Sequence, residues 1–190
     1  MLEEEKRKRE ELEAKLKAYE DRGKPSSTVF AVEGTVLTES QEASKARTMF
    51  ISDGKASGNY EGDFVNGRRN GKGKMTYTED PHKGDVYEGN YKDGKMDGHG
   101  VFKFANGNIY EGNYKDDKRD GHGVYKFANG DIHEGNYKDD KRDGHGVYKF
   151  ANGDIYEGNY KDDKMNGHGV CKFADGRVLD GQWKDGEFLG

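Results

Sequence analysis

Between Tyr60 and Gly190 the sequence repeats itself in register, and nothing else in it limits the fold so tightly. Units open at Tyr60, Tyr87, Tyr110, His133, Tyr156 and Leu179, at spacings of 27, 23, 23, 23 and 23 residues. The unit at 110–132, YEGNYKDDKRDGHGVYKFANGDI, differs from the unit at 133–155 only at its first residue. A fixed period of this length marks an array in which each unit buries its apolar groups against its neighbours. An ordinary globular core is excluded, because Leu, Ile, Val and Phe together supply only 29 of 190 residues. A disordered chain is excluded as well. The net charge is only −5, and 25 of the 29 glycines and 11 of the 12 tyrosines fall within the repeating stretch.

Each unit reads as two strands and two turns. In Tyr110–Tyr114, alternation puts Tyr110, Gly112 and Tyr114 on one face and Glu111 and Asn113 on the other. In Gly123–Phe127, Tyr125 and Phe127 share a face with Gly123, and Lys126 turns away. Asp116–Gly121 reads as turn throughout, and Asn129-Gly130-Asp131 as the second turn. The position of Asp117 is Asp at 140 and 163 but Gly at 67, 94 and 186. That exchange predicts a left-handed backbone there. Gly112 and Gly123 are predicted to let rings lie flat across the sheet. The longer first unit places its extra residues, near Thr78–Gly84, in a longer hairpin loop.

The array at 60–190 divides into units at 60–86, 87–109, 110–132, 133–155, 156–178 and 179–190. Ahead of it, residues 1–24 form a charged segment predicted to be an α-helix over 2–22, laced by pairs such as Glu4–Lys8 and Glu11–Lys15. Its one apolar stripe is Leu12, Leu16 and Tyr19, either a minor feature of a solvated helix or a contact for a partner. Gly23-Lys24-Pro25 breaks the helix. Residues 25–59 read as a linker and a degenerate unit, since Val32–Val36 and Phe50–Gly54 echo the opening and closing of later units.

Catalytic and metal chemistry find no footing. The recurring GHG histidines (His99, His122, His145 and His168) fall two strands apart in successive units, ~9–10 Å at ~4.8 Å per strand, too far to share a zinc ion. The loop Asp116–Gly121 lacks the ligand order and the twelfth-position Glu of a calcium loop. An active site is a singular constellation, whereas these units offer a ladder of equal environments, so no enzyme and no cofactor are expected. Charge balance excludes nucleic acid as the main partner. The lone Cys171 reads as a strand filler and points to a reducing, cytoplasmic compartment.

The aromatic residues remain. Tyr87, Tyr110 and Tyr156 open units. Tyr91, Tyr114, Tyr137, Tyr160 and Trp183 sit four residues further on, and Phe104, Phe127, Phe150 and Phe173 close units. All recur on the apolar face and hold the sheet together by cross-strand pairing. A single layer cannot cover one face from both sides, so part of each ring is expected to stay reachable by a helical or extended protein segment.

The pattern YEGxYKxxKxxGxGxxxFAxGxx, recurring in register over about 60–190, resembles the MORN repeat. That resemblance implies an elongated, twisted, single-layer antiparallel sheet of β-hairpins with an aromatic-lined groove. It also implies a scaffold or assembly role in cytoskeletal settings such as the ciliary axoneme and its radial spokes. The alternative it raises is a membrane-surface adaptor for anionic phospholipids. Against that, the units at 110–132 and 133–155 each carry five acids and four bases, with no cluster of cations.

Overall fold

The computed structural model describes residues 28–30, 44–52 and 57–190. The predicted N-terminal helix, its stripe Leu12, Leu16 and Tyr19, and the echo at Val32–Val36 lie outside the described residues. What is described is one open sheet of 14 strands in sequence order. It begins with β1 (Thr28–Phe30), β2 (Ser44–Ser52), β3 (Ser57–Val65) and β4 (Arg68–Tyr77). Four 23-residue steps follow: β5 (Val86–Lys92) with β6 (Lys95–Lys103), β7 (Ile109–Lys115) with β8 (Lys118–Lys126), β9 (Ile132–Lys138) with β10 (Lys141–Lys149), and β11 (Ile155–Lys161) with β12 (Lys164–Lys172). β13 (Val178–Lys184) and β14 (Glu187–Phe188) end it.

Every neighbouring pair is antiparallel except the first. β1 runs parallel to β2, with Thr28 opposite Thr48 and Phe30 opposite Phe50. That pair lies ahead of the repeat array, which is antiparallel throughout, as expected.

The hairpin turn is shorter than its polar composition suggests. Only Asp116 and Asp117 lie between β7 and β8, and both have positive φ, 49° and 70°. Asn66-Gly67, Asp93-Gly94, Asp139-Asp140, Asp162-Asp163 and Asp185-Gly186 do the same. Two central residues with φ > 0 make the two-residue turn whose twist matches a hairpin. The left-handed position inferred from the Asp/Gly exchange is therefore correct, and it has a left-handed partner before it. Lys118–Gly121, expected as turn, is strand instead, because so tight a reversal lets pairing resume at once.

Between units the chain reverses through three residues. Phe127 N–H donates to Asp131 O at 2.9 Å and Gly130 N–H to Phe127 O at 3.0 Å, with Gly130 at φ 95°. The first unit's loop is longer, as its insertion predicts; Tyr77 N–H donates across it to Asp85 O at 3.0 Å. Inside each hairpin the register slips. Gly112 faces Gly123, yet Tyr114 faces Arg119, so Asn113 stands against three residues of β8. Such a bulge bends its strand and aims side chains anew. It is what brings Arg119 over the ring-bearing face.

Candidate functional site

The ring-bearing face is built outward from glycine. Gly112 and Gly123 face each other across β7 and β8, and the Tyr110 ring lies over them. A Cβ on Gly123 would stand 2.3 Å from Tyr110 Oη, and one on Gly112 would stand 2.5 Å from the Gly123 Cα. Lying flat, Tyr110 donates its hydroxyl to Asn113 O at 3.2 Å. Tyr60, Tyr87 and Tyr156 repeat this bond to Asp63, Asn90 and Asn159 at 3.1–3.2 Å.

Onto each flat ring two upright ones close edge-on. Tyr110 meets Tyr114 at 5.3 Å and Tyr137 of the next unit at 5.2 Å, near 90° in both cases. The zigzag runs on from Tyr60 through Tyr91, Tyr87, Tyr114, Tyr110, Tyr137, His133 and Tyr160 to Tyr156 and Trp183. Each such pair contributes ~0.5–1.5 kcal/mol beyond the area it buries. The Arg119 guanidinium then covers Tyr110, Tyr125 and Tyr137 at 5.3–5.6 Å, and Arg142 covers Tyr148 and Tyr160 at 5.6 and 5.0 Å.

This covering sorts the rings into two rows of different exposure. Tyr87, Tyr110 and Tyr156 are fully buried, and Tyr91, Tyr114, Tyr137, Tyr160 and Trp183 are 3–8% exposed. A single layer does hide these rings, because rings and guanidinium lie on one another; the expectation that part of every ring stays reachable fails for this row. It holds for the outer row. Phe104, Phe127, Phe150 and Phe173 are half-buried, and so are Tyr125 and Tyr148. From Phe104 to Phe150 they form one strip: Phe104–Tyr125 5.9 Å, Tyr125–Phe127 4.4 Å, Phe127–Tyr148 5.8 Å and Tyr148–Phe150 4.5 Å. Cys171 ends the Tyr125–Tyr148 series as a buried filler paired with Tyr156 and Leu179, its thiol pushed up by burial.

Both margins of the sheet are stitched from unit to unit by residues whose composition predicts plain turn. On one margin Asp140 N–H donates to Arg119 O at 3.0 Å, Arg119 N–H donates to Asp140 Oδ1 at 3.0 Å, and the Arg119 guanidinium donates to Asp140 O at 2.6 Å. Asp163 holds Arg142 in the same way. Lys95–Asp116, Lys118–Asp139, Lys141–Asp162 and Lys164–Asp185 add exposed ion pairs alongside. On the other margin Asp85, Asn108, Asp131 and Asp154 each accept, through Oδ1, a backbone N–H of the following unit. One signal could have revealed this. Gly suffices for a left-handed turn, so an Asp repeated there has a carboxylate free for other work.

Burial raises the phenols of the ladder, Tyr110 up to about 12 and Tyr114 and Tyr137 further. All stay neutral donors over the range in which proteins fold. The opposite face is solvated. There His122, His145 and His168 approach Glu134, Glu157 and Asp180 at 4.0, 4.0 and 3.1 Å. Among the described residues no three His, Cys, Asp or Glu side chains gather where they could hold a metal ion.

The MORN repeat profile fits residues 60–79, 87–109, 110–132, 133–155 and 156–176, more than half of the chain. No curated protein matches it.

Proposed function

The chain belongs to the MORN-repeat family, and from that premise we propose that it is a non-enzymatic scaffold whose half-exposed ring strip binds a helical or extended segment of another protein. Such repeats are generally protein- or membrane-interaction modules, structural rather than catalytic, and common in scaffold and membrane-associated proteins. One observation carries the proposal. The strip Phe104–Tyr125–Phe127–Tyr148–Phe150 remains half-exposed on top of a buried ladder that already supplies the cohesion of the sheet. Contiguous exposed rings of this kind mark interaction surfaces. Tyr87, Tyr91, Tyr110, Tyr114, Tyr137, Tyr156, Tyr160 and Trp183 are the support of this surface, and Phe173 extends it. A second contact through Leu12, Leu16 and Tyr19 belongs to the same proposal, as does a cytoplasmic, cytoskeletal setting including the ciliary axoneme. The family resemblance alone supports that setting.

The step between units, ~9–10 Å at ~4.8 Å per strand, is close to two turns of an α-helix. A partner helix with apolar residues every seven positions can therefore address successive units. Replacing Phe127 and Phe150 by Ala is expected to weaken capture of the partner from cell extract at least tenfold, while circular dichroism reports an unchanged sheet. Replacing Glu111 and Glu134 on the opposite face is expected to change little. Undiminished capture by the folded Phe variants would remove the strip as the binding surface.

A second reading, the membrane-surface adaptor, draws on the opposite face. Exposed Lys103, Lys126, Lys149 and Lys172 alternate across the strands with Ile109, Ile132, Ile155 and Val178, and none makes an ion pair among the described residues. At one lysine per ~9–10 Å the row is sparse for anionic lipid. Sedimentation with phosphatidylserine vesicles at physiological salt is expected to leave the protein in the supernatant; pelleting that is lost when the four lysines become Gln would favour the membrane reading.

A further inference from the structure

A periodic groove has a difficulty that its own symmetry creates: nothing in identical units tells a partner which unit to occupy. A segment that fits Tyr125 and Phe127 fits Tyr148 and Phe150 equally, one step of ~9–10 Å along the sheet. The position of Arg119 breaks the symmetry. Along the array it reads Arg69, Met96, Arg119, Arg142 and Met165, so only one junction places two arginines on consecutive hairpins. That junction holds a shallow pocket of about 220 Å³ lined by Arg119, Tyr125, Phe127, Tyr137, Arg142 and Asp163.

We propose that this pocket receives a carboxylate-bearing side chain, Glu or Asp, of the partner segment, and that it fixes the register of that segment on the groove. The proposal rests on the groove reading above and names the chemistry it selects. Its lining brings together two guanidiniums, each paired on one edge with a carboxylate, Arg119 with Asp140 and Arg142 with Asp163. Each guanidinium is already oriented. Arg119 uses Nε and Nη2 on Asp140, and Arg142 uses Nε and Nη2 on Asp163, at 2.6–3.3 Å. That leaves the Nη1 donors of both without a hydrogen bond among the described residues. The side chains are only 24% and 25% exposed and lie over aromatic rings, so little freedom is left to lose on binding. Oriented guanidinium donors form the stronger, charge-assisted class of hydrogen bond with carboxylates. The half-buried Tyr125 and Phe127 supply an apolar floor for the stem of the acid or for its neighbour.

The test uses 3-phenylpropionate and its neutral amide as probes, titrated into the full chain and followed by two-dimensional NMR. The acid is expected to shift the Arg119 and Arg142 side-chain Nε–H signals and the Tyr125 and Phe127 ring signals, and to bind at least tenfold more tightly than the amide. Arg119→Met and Arg142→Met, singly and together, use the residue the array itself carries at 96 and 165, so the sheet is expected to persist. The tenfold preference should disappear in the double variant and fall in each single one. Equal binding of acid and amide would overturn the carboxylate assignment and leave the apolar groove standing. Binding of neither probe, or shifts confined to other residues, would overturn the pocket itself, whatever the Phe127 and Phe150 variants show about capture.

Discussion

His133 occupies the place that Tyr87, Tyr110 and Tyr156 hold in their units. It keeps the edge-on contacts, 5.2 Å to both Tyr137 and Tyr160, and its Nδ1 lies 2.8 Å from Tyr137 Oη. It cannot keep the tyrosine hydroxyl's bond to the carbonyl three residues on, and its Nε2 is buried with no partner. Burial pushes the imidazole down to about 4 from its ordinary 6.5, helped by the Arg142, His122 and Arg119 charges and opposed by Asp163. The unfolded chain therefore binds a proton near pH 6.5 that the folded chain refuses until about pH 4. Stability held above pH 6.5 is lost as the pH falls through that window, by roughly 3 kcal/mol from this one group. His133→Tyr is expected to raise stability at pH 7 by about 1 kcal/mol through the restored hydrogen bond. It should also flatten the loss between pH 6.5 and 4, as read by urea unfolding at several pH values. Parallel pH profiles for the two proteins would refute this account of the site. Below pH 4 both should decline alike, since Asp116, Asp131, Asp139 and Asp162, all held low by hydrogen-bonded partners, are common to them.

Hairpins are joined in this array by their turns as much as by their strands. Asp140 stands at φ 71°, where Gly is at ease and Ala is strained, and its carboxylate also holds the Arg119 backbone and side chain. Two substitutions separate these jobs. Asp140→Gly loses only the carboxylate, whereas Asp140→Ala loses it and strains the backbone as well. The expected order of melting temperature is wild type, then Gly, then Ala. Ala at or above Gly would mean that the left-handed conformation is not what the position requires. Much at this scale was legible in advance. Strand alternation in Tyr110–Tyr114, the left-handed Asp117 and the clearance at Gly112 and Gly123 all follow from rules one residue or one strand long. The hairpin's true length did not, because Lys118–Asp120 has turn-like composition and becomes strand only once two residues suffice to reverse the chain. Nor did the burial of Tyr137. That depends on Arg119 crossing onto the ring face, which requires a register slip between Tyr114 and Gly112 that no local pattern in the sequence announces.

As a whole the described residues form one sheet without a second layer. Its strands pair only with sequence neighbours, and fourteen of them at ~4.8 Å extend the described sheet to roughly 60 Å. Stability in such an array is a sum of units and the junctions between them. The zigzag of edge-on rings is what makes each junction, and every flat ring touches the upright ring of the next unit. One face is thereby divided between a sealed ladder that holds the units together and an open strip that is free to bind. In the function proposed for it, binding runs through the strip. Photo-crosslinking tests it most directly: p-benzoylphenylalanine placed at Phe127, at Phe150 and, on the opposite face, at Glu111, irradiated in cell extract and read by mass spectrometry. The account predicts one partner protein joined at 127 and 150, in adjacent stretches of its sequence, with nothing above background at 111. Crosslinks that form at 111 and fail at 127 and 150 would contradict it.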